Sequence, residues 1–132
     1  MESIPITPES LRSAVRWLRD GKIVITGADL PVPGDRELIE FFGRPAYLPV
    51  GPARLAALTG AIVLLGSCFY EPQRGYVLDI TGPIPMERTG SRIQDAVANT
   101  HCLARVMERY VRQRPEQWLM FHRVWPQAAE GS

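Results

Sequence analysis

A chain of 132 residues suits a single domain with a sizeable core, and 45% apolar against 22% charged residues excludes an intrinsically disordered protein. A formal net charge of +1 gives no global attraction to nucleic acid or to an anionic membrane, so no nucleic-acid partner is expected and any pull of that kind is local. Lys22 is the only lysine among the 15 basic residues. Arginine holds phosphate or carboxylate bidentately, but an arginine bias also follows codon composition.

The order of elements starts with a loose lead-in, residues 1–6. Thr7-Pro8-Glu9 then reads as an N-cap, a proline at the first helical position and an acidic first turn. Leu11, Ala14, Val15 and Leu18 recur at helical spacing and Gly21 stops the pattern, which predicts a helix over 8–19. Its other face carries Arg12, Arg16 and Arg19, either a solvated face or a stripe that rests on anionic head groups. Lys22 to Thr26 is rich in β-branched residues and is expected to be a buried strand. Asp29 follows at its C-terminal end, where open α/β sheets place ligands and where a loop aspartate also bonds its own backbone.

Prolines and Gly34 make a loop of 30–35, leading to Phe41-Phe42-Gly43-Arg44-Pro45-Ala46. Gly43 permits a sharp turn or a close backbone approach, the phenylalanines offer apolar walls for a ligand or for the core, and Arg44 faces an anion or solvent. A helix opens near Pro49 to Ala53 and ends at Gly60. Residues 61–70 and 76–80 read as antiparallel strands joined by a turn over 71–75. After a proline-bearing loop, 91–113 carries the longest helix, with a core-facing stripe of Ile93, Val97, Thr100, Ala104, Met107 and Val111. His101, Arg105, Glu108 and Arg112 line another face, with Glu108 and Arg112 in the favourable ion-pair order.

Cys68 and Cys102 lack metal or redox spacing and fit a reducing, cytoplasmic setting. No charged-then-apolar leader precedes the first polar segment, and the longest apolar run, 61–65, is far below the ~18 residues of a spanning helix.

The last run, Arg114-Pro115-Glu116-Gln117-Trp118-Leu119-Met120-Phe121-His122-Arg123-Val124-Trp125, concentrates large amphipathic side chains. Pro115 bars the preceding helix from continuing and Glu116 and Gln117 suit a short new one, so that Trp118, Phe121 and Trp125 bury area if the indole N–H groups find partners. Read from composition, this is a clamp closing a core or a binding site. Its spelling resembles the C-terminal signature of the lipid A biosynthesis (lauroyl and myristoyl) acyltransferase family, in the glycerolipid acyltransferase superfamily. Pro115, Glu116, Gln117, Trp118, Leu119, His122, Arg123 and Trp125 match, while Met120, Val124 and Pro126 replace an aromatic, an arginine and a lysine. The Phe41 to Ala46 run, the 49–61 segment and the Asn99, Glu108, Arg112 spacing resemble further family motifs in the same order.

The resemblance implies a small α/β domain, about four mostly buried strands flanked by three helices, over 7–126 with a flexible tail of 127–132. It implies fatty acyl transfer from acyl carrier protein or coenzyme A thioesters to a glycolipid hydroxyl, with no further cofactor, at the cytoplasmic side and peripheral on the inner membrane. It assigns Asp29, Phe41, Phe42, Gly43, Arg44, Glu108, Arg112, Trp118, His122 and Arg123 to the substrate pocket. Family chemistry takes the hydroxyl proton with a histidine oriented by a carboxylate in a His-x4-Asp or His-x4-Glu motif. Here Val106 stands five places after His101 and Gln127 five places after His122, so neither histidine has that partner. The chain therefore resembles the C-terminal half only. Two readings follow: part of an acyltransferase whose catalytic pair comes from a second polypeptide or precursor, or a non-catalytic module binding acyl chains or a partner. Apolar surface left by a missing half makes a homo-oligomer an expected outcome.

Overall fold

The computed structural model of the chain describes residues 7–127. Helix α1 (Pro8–Arg19) begins at a reciprocal capping box: the Ser10 amide donates to Thr7 Oγ1 at 3.1 Å and the Thr7 amide to Ser10 Oγ at 2.7 Å. It ends at Asp20, beside Gly21 in the left-handed region. The expected strand at 22–26 does not form. The run is irregular, with Ile23 and Ile25 86% and 83% exposed, because no described strand lies alongside to pair its backbone.

A hairpin that the sequence pattern did not reveal comes next, β1 (Glu37–Phe41) antiparallel to β2 (Arg44–Leu48). Its two-residue turn is Phe42-Gly43 with φ of 53° and 75°, the signs of a type I′ turn. Helix α2 (Gly51–Thr59) has no local side-chain cap. Asp35, far back in the loop, takes that role: its Oδ2 accepts from the Gly51 amide at 3.1 Å and Oδ1 lies 3.6 Å from Arg54 Nη1. Partial burial nevertheless raises the Asp35 pKa above the ordinary aspartate value, outweighing the Gly51 amide and the Arg54 charge.

Strands β3 (Leu65–Glu71) and β4 (Gly75–Thr81) pair antiparallel across the expected turn. Four strands and three helices are present, so the α/β class holds, but the strands form two separate hairpins rather than one buried sheet. Helix α3 (Arg92–Gln113) is the longest element, and its Ala104 and Met107 pack against Ile39, Phe41, Ala46 and Leu48 of the first hairpin and Val124 of the C-terminal run. Leu103 and Val106 build a second cluster with Ile84. The expected stripe is buried at Thr100, Ala104 and Met107. Ile93 departs from it, 78% exposed, since the first turn of α3 meets only a shallow groove shared with Arg54, Ala57 and Leu58 of α2. The expected lead-in and residues 128–132 of the expected tail lie outside the described residues.

Two α3 side chains hold the preceding proline-bearing loop. Asn99 is 1% exposed; its Oδ1 accepts from the Glu87 amide at 2.6 Å and its Nδ2 donates to the Glu87 carbonyl at 3.0 Å. Asp95 accepts from the Thr89 hydroxyl at 2.6 Å and the Thr89 amide at 2.9 Å. The Thr89 hydroxyl chiefly, with the amides of Thr89 and Gly90, holds the Asp95 pKa below the ordinary aspartate value against the cost of desolvation. A depressed carboxylate contributes stability that is present above the unfolded pKa of about 3.9 and is lost as pH falls through the folded value. The thermal midpoint should therefore fall more steeply with acidification in the wild type than in Asp95→Asn. Parallel curves for the two would remove Asp95 from the acid response.

Candidate functional site

The aromatic side chains of the Phe41-Phe42 turn and of the C-terminal run meet in one cluster. Phe41 is fully buried and stacks on Trp125 with ring centroids 5.8 Å apart; it meets Phe42 edge-on at 4.6 Å and Trp118 at 5.9 Å. Both indoles find the partners that burial requires. Trp125 Nε1 donates to the Phe41 carbonyl at 2.9 Å, and Trp118 Nε1 donates to Asp29 Oδ2 at 3.0 Å. The latter bond ties the segment after residue 22 to the cluster. Tyr47 donates its amide to the Val124 carbonyl at 2.9 Å, which lays the C-terminal run along β2. Phe121, expected to be buried, is 87% exposed: Pro115 to Gln117 form only one 3-10 turn, and the extended chain beyond turns Phe121 outward while Val124 faces in.

The turn is fastened from α3. Glu108, only 6% exposed, accepts from the Phe42 amide at 2.7 Å and lies 3.0 Å from Arg105 Nη2 and 4.0 Å from Arg112 Nη1. Arg105 also pairs with Glu40 Oε1 at 3.5 Å and donates to the Glu40 carbonyl, while Arg112 sits over the Phe42 ring, 5.1 Å from its centroid. A bulky residue at positive φ is a strained position, and such strain persists only where the surroundings hold it and clusters at functional sites. Phe42 is held by that bond, by the arginine above its ring and by contact with Phe41 and Trp125 at 6.3 Å.

Two residues at the start of the C-terminal run, Arg114 and Gln117, act as fasteners. Gln117 Oε1 accepts from the Tyr70 amide at 2.7 Å and its Nε2 donates to the Tyr70 carbonyl at 3.0 Å, so that one side chain satisfies both backbone groups at the end of β3. Arg114 pairs with Glu71 and stacks over Phe69 at 4.1 Å. The structure thus brings Asp29, Phe41, Phe42, Glu108, Arg112 and Trp118 into one contact network and seats Gly43 in its turn. Arg44, His122 and Arg123 are exposed and make no polar contact among the described residues. Asp35, Gln117 and Arg114 matter here although sequence reasoning gave them no site role. The Pro-Glu-Gln spelling was a usable signal for Gln117, whereas nothing local marks Asp35, which acts 16 residues from its target.

Residues 4–127 match the model of the bacterial lipid A biosynthesis acyltransferase family. The chain belongs to that family. It is also similar to the phosphatidylinositol mannoside acyltransferase of Mycobacterium tuberculosis, in strains CDC 1551 and H37Rv, at 30% identity over 108 residues. That alignment covers 82% of this chain and 32% of the relative, so this acyltransferase-family chain spans about a third of those proteins' length.

A shallow groove of about 500 Å³ lies between α1 and α2, lined by Leu11, Arg12, Val15, Arg16, Arg19, Asp20 and Leu58. The basic stripe expected on α1 therefore edges a groove with an apolar floor. No described helix is long and apolar enough to cross a membrane, and no group of three His, Cys, Asp or Glu side chains among the described residues converges on a metal position.

Proposed function

We propose that this chain supplies one wall of the substrate pocket of an acyltransferase that moves a fatty acyl group from a thioester, on acyl carrier protein or coenzyme A, to a hydroxyl of a glycolipid, peripherally on the cytoplasmic face of a membrane. The observation that carries this reading is the strained Phe42-Gly43 turn, fastened by Glu108 and Arg112 and backed by Phe41, Trp118 and Trp125. An apolar wall beside fixed arginines suits a substrate with a fatty chain and an anionic or sugar-bearing head. Asp29, anchored by Trp118, orients polar groups at the wall's edge, and the exposed Arg44, His122 and Arg123 are free to meet the head group.

Acyl transfer further needs a base for the acceptor hydroxyl, and neither histidine of this chain has a carboxylate five places on. His122 is exposed and unpartnered among the described residues, with nothing to orient its ring. The base and its carboxylate come from another stretch of polypeptide, joined to this one or separate. The purified chain alone should give no transfer above background from acyl-coenzyme A or acyl carrier protein to a phosphatidylinositol mannoside. Turnover by the chain alone that disappears in His122→Ala would overturn this reading, because it would place the base within these 132 residues.

A further inference from the structure

Helix α1 carries arginine and apolar side chains in adjoining rows. Arg12, Arg16 and Arg19 stand four and three residues apart and Leu11 and Val15 four apart, so each set runs along one side of the helix. In the groove between α1 and α2 both rows meet Leu58, and Arg19 Nη2 donates to the Leu58 carbonyl at 3.5 Å, which ties the rim to α2. Leu58 also belongs to the neighbouring groove of about 220 Å³, lined by Arg54, Ala57, Arg92 and Ile93, so one apolar floor continues from α1 across α2 to the first turn of α3. Leu11 and Ile93 on that floor are 43% and 78% exposed. Five arginines and one carboxylate, Asp20, line the two grooves. Arg54 pairs with Asp35, whereas Arg12, Arg16, Arg19 and Arg92 have no ion-pair partner among the described residues. In a chain of net charge +1 this is a local concentration of positive charge beside exposed apolar surface.

Resting on the proposed function, we infer that this groove docks an acidic amphipathic helix of the protein that carries the acyl thioester, so that the donor reaches the site on a carrier protein. Charge and shape choose the occupant. The row from Arg12 to Arg19 rises about 10 Å along α1, two turns of a facing helix, and carboxylates spaced four and three residues apart on that helix meet the three guanidinium groups. Its apolar residues fill the floor of Leu11, Val15 and Leu58, as in helix-in-groove recognition. A bilayer surface is broad and flat, so it would meet the arginine rim and leave the floor between the helices unfilled.

The test measures binding of acylated acyl carrier protein to this chain, beside vesicles of phosphatidylglycerol and phosphatidylcholine as the anionic membrane probe. The wild-type chain should bind the carrier, more weakly as salt rises, and Arg12→Glu with Arg16→Glu should weaken that binding by at least about tenfold. Both side chains are exposed, so the thermal midpoint should not move. Arg16→Gln removes a single charge and should give a smaller loss, which decides the matter if the double variant does not fold. Arg109→Glu, at an exposed position of α3 outside both grooves, should leave binding within about twofold. Absence of carrier binding, binding indifferent to the groove substitutions, or an equal loss in Arg109→Glu overturns the inference. Vesicle binding that the groove variant abolishes, with no carrier binding, overturns it in favour of a membrane surface. Acyl transfer by the assembly isolated from source cells separates this inference from the proposed function. Groove-dependent carrier binding by an assembly that transfers no acyl group from either thioester supports the docking groove and counts against the proposed function. Transfer from acyl-coenzyme A by an assembly that does not bind the carrier overturns the docking groove and leaves the function standing.

Discussion

Replacing Phe41 by alanine should cost about 3–5 kcal/mol of folding stability. The side chain is fully buried and touches Phe42, Trp118 and Trp125, and it lies in the same core cluster as Ile39, Ala46, Leu48, Met107 and Val124. Truncation leaves a cavity that four elements of different origin would have to close together, and the rings around it are held by hydrogen bonds from both indoles. Against a total of about 5–15 kcal/mol for a domain of this kind, such a loss is visible as a lower urea midpoint at unchanged slope. A loss under about 1 kcal/mol would mean that the ring lines open space and is a pocket wall in the direct sense, with no role in the core.

Glu108→Ala is expected to follow closely, at about 2–4 kcal/mol, because it strips the Phe42 amide of its acceptor and leaves two arginines without their shared carboxylate. Arg105 and Arg112 reach solvent, at 46% and 63% exposure, which keeps the loss below that of a fully enclosed ion pair. The neutral variant Glu108→Gln retains an acceptor for the Phe42 amide and should recover part of the loss. If the two variants are equally destabilised, charge pairing with the arginines carries the contribution and the amide bond carries none. If neither changes the urea midpoint, Glu108 has no part in fastening the turn, and its motif position would have to be explained by substrate contact alone.

What was legible beforehand follows from the range of the interactions. Capping at Thr7, the stop at Gly21, the turn at 71–75 and the stripe of α3 are local signals, and the corresponding elements formed within a few residues of their expected bounds. The first hairpin was missed because Phe42 occupies a turn position where asparagine or aspartate is usual, and distant residues, Glu108 and Arg112 among them, hold it there. Residues 22–26 were misread in the other direction. Their composition is that of a strand, but pairing is a property of a neighbour, and none of the described residues provides one. For the candidate site, spelling pointed to residues that meet in one aromatic cluster but not to which of them fasten it. Glu108, which the resemblance assigns to the substrate pocket, is buried under the turn, whereas Phe121, expected to bury area, faces water.

The account depends on a catalytic pair supplied from outside these 132 residues. Its most direct test is the native mass of the assembly that contains this chain, extracted from its source cells in mild detergent, together with the intact mass of the polypeptide. The account predicts an assembly or a longer polypeptide carrying a His-x4-Asp or His-x4-Glu motif, active in acyl transfer as isolated. The chain found alone, or only with copies of itself, at the mass of this sequence would contradict it.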